Sequence, residues 1–329
     1  MRLLDHVAQC SVPFIVRQEG GELWRLTGAS DFAPRLEHCP LRFVLTDDLV
    51  RTCTALAYSE GDELSGCLDL LHLPAEAVWI EWDESARQQE LARTLPGYRA
   101  PPADVLRAGA LVAAEPQCRS GSLRTFWLGR SAPGEPLLAP VETLLDLDGT
   151  AVCAAPEALL TGGAVAVRDP HNEQLNSLLQ CARFRLDSAW LRYYQRVALQ
   201  PSVRGDVIHR SLTAVAFDVP MLLALFLLMT IRADLVHMPV RLGRLNSKRA
   251  RLGKRPLLEH IEVSAPVFAH APESAPADTP AARRGPRFHH VRGHIVRRHD
   301  TVYWRGPHWR GHVRLGSVRS RTVELRLPH

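Results

Sequence analysis

A chain of 329 residues with 46% hydrophobic and 23% charged side chains can bury a sizeable core without covalent staples, and its length suggests about two domains; a mostly disordered chain is excluded. The net charge of +5 conceals a division: residues 241–329 hold 17 Arg and 2 Lys against 6 acids, a net +13, with nine of the 15 histidines, whereas residues 1–240 hold 21 Arg against 29 acids, a net −8. A cationic end on an acidic body points to an anionic partner, or to a basic surface docked on the protein's own acidic half.

Taken in order, the first hundred residues alternate short apolar runs with turns. The Gly20-Gly21 pair separates 13–16 from 22–26 as a hairpin would, and 41–45 reads as a further strand. Thr46 is placed to cap a helix whose first turn carries Asp47 and Asp48 and whose Leu49, Val50, Cys53 and Leu56 keep helical spacing. A strand over 77–82 and a helix over 84–95, stopped by Pro96-Gly97, follow. Residues 104–167 read as mainly β, with runs at 110–112, 123–128, 141–147 and 164–167, and with turns at Ser120-Gly121, Pro133-Gly134, Asp148-Gly149 and Gly162-Gly163.

From Asp169 the period changes. Asp169 and Pro170 suit a helix start, and Leu175, Leu178, Leu179, Ala182, Leu186 and Ala189 predict one long helix to about residue 199. A second helix has Pro220 near its start. Its apolar run over 219–231 holds 13 residues, too short to span a bilayer and long enough for a buried core helix. Residues 241–255 then carry seven cations and no acid, with Gly253 placed to end a short helix before Pro256, and 257–263 reads as a strand. Seven Ala and five Pro in 264–286 are linker composition. In 287–329, β-branched and aromatic runs between Gly and Pro predict a small basic β-module of three or four strands.

The predicted fold is therefore α+β: an acidic body over 1–240 closing on a helical pair, a basic helix and strand over 241–263, a linker over 264–286 and a basic β-module over 287–329. The seven cysteines, Cys10, Cys39, Cys53, Cys67, Cys118, Cys153 and Cys181, are widely spaced without Cys-x-x-Cys, as expected of reduced, mostly buried thiols. Asp5 and His6 break the first apolar run, so no signal-peptide pattern is present. These features predict a cytoplasmic protein that does not enter a membrane.

The segment from Leu245-Asn246-Ser247-Lys248-Arg249 to Gly253-Lys254-Arg255-Pro256-Leu257 resembles one found in bacteriophage- and prophage-encoded proteins. There it precedes a strand, a variable linker and an ending similar to Arg292-Gly293-His294-x-x-Arg297-Arg298 with Trp304 and Pro307-x-Trp309. The likeness covers about the last 90 residues, and more weakly the stretch from Pro74 to Trp79-Ile80-Glu81-Trp82. It implies a phage or prophage setting in a bacterial host, and the family brings no activity with it.

Four groups of residues are candidates for chemistry. Arg244, Lys248, Arg249, Arg251, Lys254, Arg255, Arg292, Arg297, Arg298, Arg305, Arg310, Arg319 and Arg321 suit phosphate contacts, alternatively a solvated face. Tyr303, Trp304 and Trp309 among them could stack on bases, although strand alternation favours core for the two tryptophans. His290 with His294, and His308 with His312, have spacing that only a helix or turn would turn into a metal site; on one strand face each pair would stand ~13 Å apart. The run into Asp146-Leu147-Asp148-Gly149-Thr150 resembles the nucleophile motif of haloacid-dehalogenase-type phosphatases. That likeness implies Asp146 attacking phosphorus, Asp148 protonating the leaving group and magnesium balancing charge. The motif nevertheless lacks βα alternation and later acidic partners, so a hairpin turn is the plainer reading. Glu81, Asp83 and Glu84 could form an acidic metal or partner site, or a half-buried strand running into a charged helix start.

The function expected is binding of nucleic acid, DNA or RNA, by the basic end of an accessory protein. The alternatives are docking on an acidic protein partner and a magnesium-dependent phosphatase. No cofactor is expected.

Overall fold

The structure, a computed structural model, describes residues 1–9, 15–17, 23–25, 32–59, 61–95, 98, 105–130, 134–149, 156–168, 173–196, 209, 212–213, 215–231, 235–265, 287–291, 294–298, 301–305, 308–310 and 312–317. The chain divides into two units, Met1–Ala265 and Pro266–His329.

In the first unit the elements are α1 (Leu3–Gln9), β1 (Ile15–Arg17), β2 (Leu23–Arg25), α2 (Phe32–Glu37), β3 (Leu41–Leu45), α3 (Asp47–Ser59), α4 (Gly61–Ser65), β4 (Ala77–Asp83) and α5 (Glu84–Thr94). Then come β5 (Val105–Ala114), β6 (Ser120–Gly129), β7 (Pro136–Asp146), a 3-10 turn (Pro156–Thr161), β8 (Ala164–Val165), α6 (Glu173–Leu179), β9 (Ala182–Leu186), α7 (Ser188–Arg196), α8 (Val219–Thr230), β10 (Val236–Val240), α9 (Gly243–Arg251) and β11 (His260–Ser264). The pair β1 and β2 is antiparallel on either side of Gly20-Gly21. The other nine strands form one mixed sheet in the order β10-β11-β3-β4-β5-β6-β7-β9-β8. Neighbours among β11, β3 and β4 run parallel and every other neighbouring pair is antiparallel. The fold is α+β.

Strand β4 is buried on both faces, because Val78, Trp79, Ile80, Glu81 and Trp82 all lie out of solvent. Successive side chains alternate across a sheet. Trp79 therefore joins Leu3, Leu4, Phe32, Leu36 and Phe126 in a core beneath α1 and α2, while Ile80 and Trp82 face the side where α3 packs on α5 and α8. Helix α8 is apolar all round and every residue from Val219 to Leu228 is buried, as such composition requires. Pro220 sits at its start, where a missing N–H costs nothing. Among the described residues no helix is long and apolar enough to cross a membrane. Cys39, Cys53, Cys67 and Cys181 are buried free thiols, and Cys118 is a half-buried one. Burial pushes the Cys181 thiol up to about 12. Cys10 and Cys153 lie outside the described residues.

Three expectations are corrected. The long helix over 169–199 is two helices, α6 and α7, with strand β9 between them. In Ala182–Leu186 burial alternates, with Arg183 and Arg185 exposed and Ala182, Phe184 and Leu186 buried, which is a strand's period and not a helix's. Thr46 does precede α3, but its carbonyl, not its hydroxyl, serves the helix: Val50 N donates to Thr46 O at 3.0 Å, while the buried hydroxyl has no partner. Ser120-Gly121 is not a turn but the start of β6. A Cβ at Gly121 would come within 2.6 Å of Ala113 O and 2.9 Å of Ala114 Cα, so only glycine lets β6 pass the end of β5. Gly121→Ala should accordingly lower stability by ~1–3 kcal/mol, the range for overpacking a close contact, read as a lower urea midpoint at unchanged slope. An unchanged midpoint would mean that the two strands can part at no cost.

The second unit carries β12 (Arg287–Val291), β13 (His294–Arg298), β14 (Thr301–Arg305), β15 (His308–Arg310) and β16 (His312–Ser317). Strand β12 lies between β15 and β16, and β13 pairs with β14 as an antiparallel hairpin. Of the expected linker, residues 266–286 lie outside the described residues.

Candidate nucleic-acid interface

Helix α9 buries none of its nine residues. A helix this short has marginal order of its own, so what holds it is informative. Asn246 behaves like a strand neighbour toward Leu257, donating through Nδ2 to its carbonyl at 2.9 Å and accepting its N–H on Oδ1 at 2.8 Å. Arg249 Nε donates to Arg255 O at 2.8 Å, and Glu259 Oε1 accepts Leu242 N–H at 3.0 Å. At the far end Gly253 takes φ +65°, Gly253 N–H reaches Ala250 O and Lys254 N–H reaches Arg249 O, a Schellman closure. The returning loop is pinned to α1 by Leu258 N–H on Asp5 Oδ1 at 2.9 Å and Gln9 Nε2 on Pro256 O at 3.3 Å.

These tethers occupy one stripe of the helix. At about 100° per residue Arg244, Lys248 and Arg251 share another stripe, and all three are exposed. Leu245 and Leu252 lie beside it, 45% and 71% exposed. Arg241, Lys254 and Arg255 are exposed on either side, and residues 241–255 contain no acid. The acids nearby are engaged: Asp5 and Glu259 accept the backbone bonds above, and Glu262 pairs with Arg2 at 2.6 Å. Composition reveals the cations of this helix, but not the two exposed leucines. Their seven-residue spacing on the cationic side was the available signal.

In the second unit the hairpin register sorts the aromatics. Ile295 lies opposite Trp304 and Val296 opposite Tyr303. Ile295 is 8% exposed, so Trp304 shares the inward face, whereas Tyr303, 41% exposed, shares its face with Arg298 and Arg305. Arg297, Arg298, Arg305 and Arg310 are exposed. Arg292, Arg319 and Arg321 lie outside the described residues.

The histidine pairs are divided between strands: His290 is on β12 and half-buried His294 on β13, while His308 is on β15 and His312 on β16. Among the described residues no group of three or more His, Cys, Asp or Glu could hold a metal ion. Asp146 ends β7, and the next strand in the chain, β8, pairs with β9 and not with β7, so Asp148-Gly149 turns the chain without closing a hairpin. Asp146 Oδ1 accepts Asp148 N–H at 3.3 Å, and Asp146 Oδ2 lies 3.8 Å from Arg183. Asp148 pairs with Arg119, whose guanidinium holds the carboxyl below its usual range. The same Arg119 donates to Leu68 O, Asp69 O and Leu71 O, tying two loops together.

The three acids of β4 and α5 are each used internally. Glu81, fully buried, accepts Leu3 N–H and Leu4 N–H at 3.0 Å, Trp79 Nε1 at 3.4 Å and Arg107 Nε at 2.6 Å. Asp83 caps α5. Glu84 takes Arg87 at 2.5 Å and Trp82 Nε1 at 3.1 Å. Arg87 also reaches Asp218 at 3.2 Å, an acid that belongs to no motif in the sequence. A hollow of about 460 Å³ beside β3, β10 and α8 is lined by Phe43, His72, Met229, Leu235 and His237 among others, with no Arg or Lys.

The class defined by this geometry is an α+β protein that presents cations on a tethered helix and on a separate hairpin. Comparison with family models, with curated proteins and with solved structures finds no match.

Proposed function

We propose that the protein binds nucleic acid through its carboxyl-terminal cations, as an accessory protein of a phage or prophage acting in the cytoplasm of a bacterial host. The observation that carries this reading is α9: nine residues, none buried, held along one stripe so that Arg244, Lys248 and Arg251 stand in solvent within a segment, 241–255, that contains no acid. The hairpin face with Tyr303 between Arg298 and Arg305 supports the same reading, since it joins phosphate contacts to a stacking surface.

If about six cations meet phosphates, the logarithm of affinity should fall with the logarithm of salt at a slope near −4 to −5. Replacing Arg298 and Arg305 together with Ala should weaken binding to all sequences alike and flatten that slope by about one to two. Binding that does not change with salt would defeat the reading. Docking on an acidic protein is favoured by one feature, the exposed Leu245 and Leu252, which phosphates do not require.

A further inference from the structure

We infer that the nucleic acid taken by α9 is double-stranded DNA, entered through its major groove; this rests on the nucleic-acid reading above. Three properties of the helix point there. The first is shape: an α-helix with its side chains is ~10–12 Å across, and the B-form major groove is ~12 Å wide. The nine residues of α9 run ~13 Å, the height of about four base pairs. The strand leading into the helix leaves the approach open, since Val236, His237, Met238 and Pro239 of β10 are all exposed.

The second is the chemistry of the outward stripe. Arg244 and Arg251 carry the forked donors that match guanine O6 and N7, and Lys248 lies between them. Leu245 and Leu252, which a purely phosphate-binding helix would not need, are the residue type that meets the 5-methyl of thymine. Arg241, Lys254 and Arg255 flank the helix at its two ends, where a groove presents its phosphate walls. Asn246 and Arg249 are already committed to the returning loop, so they set the helix's orientation and leave base contacts to the outer stripe.

The third is what the helix lacks. Residues 241–259 contain no Trp, Tyr or Phe, and non-specific binding of single strands draws on aromatic stacking. Duplex RNA is disfavoured by its deep, narrow major groove, which side chains cannot read. DNA is the duplex that fits this outer face.

The test uses the full chain and fluorescence anisotropy on one sequence prepared as DNA duplex, RNA duplex and single-stranded DNA. Duplex DNA should bind at least about tenfold more tightly than duplex RNA, and Arg244→Ala with Arg251→Ala should remove about tenfold or more of that affinity, a clearly larger loss than for single-stranded DNA, which forfeits only phosphate contacts. Methylation of guanine N7 by dimethyl sulfate should interfere with duplex binding by wild type and not by the double variant. Circular dichroism should be unaltered, because both side chains are exposed. Equal affinity for the two duplexes, or a double variant that binds duplex DNA as wild type does, would overturn the inference while salt-dependent binding elsewhere kept the broader reading. Absence of binding to all three probes would overturn both and leave the exposed leucines and cations to an acidic protein.

Discussion

Replacing Glu81 with Gln should cost ~3–5 kcal/mol, the range for breaking a buried ion pair at one partner, which for a unit of this size lowers Tm by about 10 °C. The carboxylate receives four donors, and two of them are the first backbone N–H groups of α1. An amide has one acceptor and turns a donor of its own toward the remainder. Arg107 would lose its buried counter-charge, and α1 would lose the anchor that docks Leu3 and Leu4 into the core. Thermal unfolding followed by circular dichroism gives the answer. A loss under ~1 kcal/mol would mean that water replaces the carboxylate and that α1 docks by its apolar face alone.

Arg87→Met should cost a similar ~3–5 kcal/mol at pH 8, because it strands Glu84 and Asp218 together out of solvent. Here pH provides a second handle. Burial pushes the Asp218 carboxyl up to about 7 from 3.8, with Arg87 opposing the rise and Glu84 adding to it. A folded-state pKa above the unfolded one means that the native protein holds the proton more tightly. The protonated Asp218 therefore contributes fully below pH 4; as pH rises to about 7 the unfolded chain releases this proton while the native protein keeps it, and stability falls. Asp218→Asn should gain stability relative to wild type across that window, and Arg87→Met should be less damaging at pH 5 than at pH 8. Parallel denaturant titrations at several pH values would show either trend, and pH-independent differences would remove Asp218 from the account.

Neither buried cluster was legible beforehand, for the same physical reason. Glu81 and Glu84 stood out as acids around Trp79 and Trp82, but Glu81 is satisfied by α1 and Arg107, and the Arg87 that pairs with Glu84 also engages Phe217 O and Asp218 at the start of α8, groups brought in by the fold from far along the chain. What was legible was local. The long strands β5, β6 and β7 show themselves by apolar runs between turn residues, and α8 by unbroken apolar composition. The region from Asp169 misled because Leu175, Leu178 and Leu179 and then Leu186 and Ala189 keep helical spacing across the five residues of β9. In the candidate site the cations were visible from composition and alternation favoured core for Trp304, while the strand register that fixes each face was not visible. Tyr303 and Trp304 exchange roles on a register shift of one residue, which hydrogen bonding decides and composition does not.

The place of β11 in the sheet bears on how the chain is made. β11 inserts between β10 and β3, parallel to a strand that left the ribosome about 215 residues earlier. At ~5–20 residues per second, synthesis of that interval takes roughly 10–40 s, during which β3 has no neighbour on its β11 side and α1 lacks the Arg2–Glu262 and Asp5–Leu258 ties. A nascent body must wait with one sheet edge unpaired, the condition in which partly folded chains pair wrongly with one another. The same arrangement makes the basic helix inseparable from completion of the body: α9 is the connection between β10 and β11, so its cations are displayed only once the last strand of the sheet has closed beside the third.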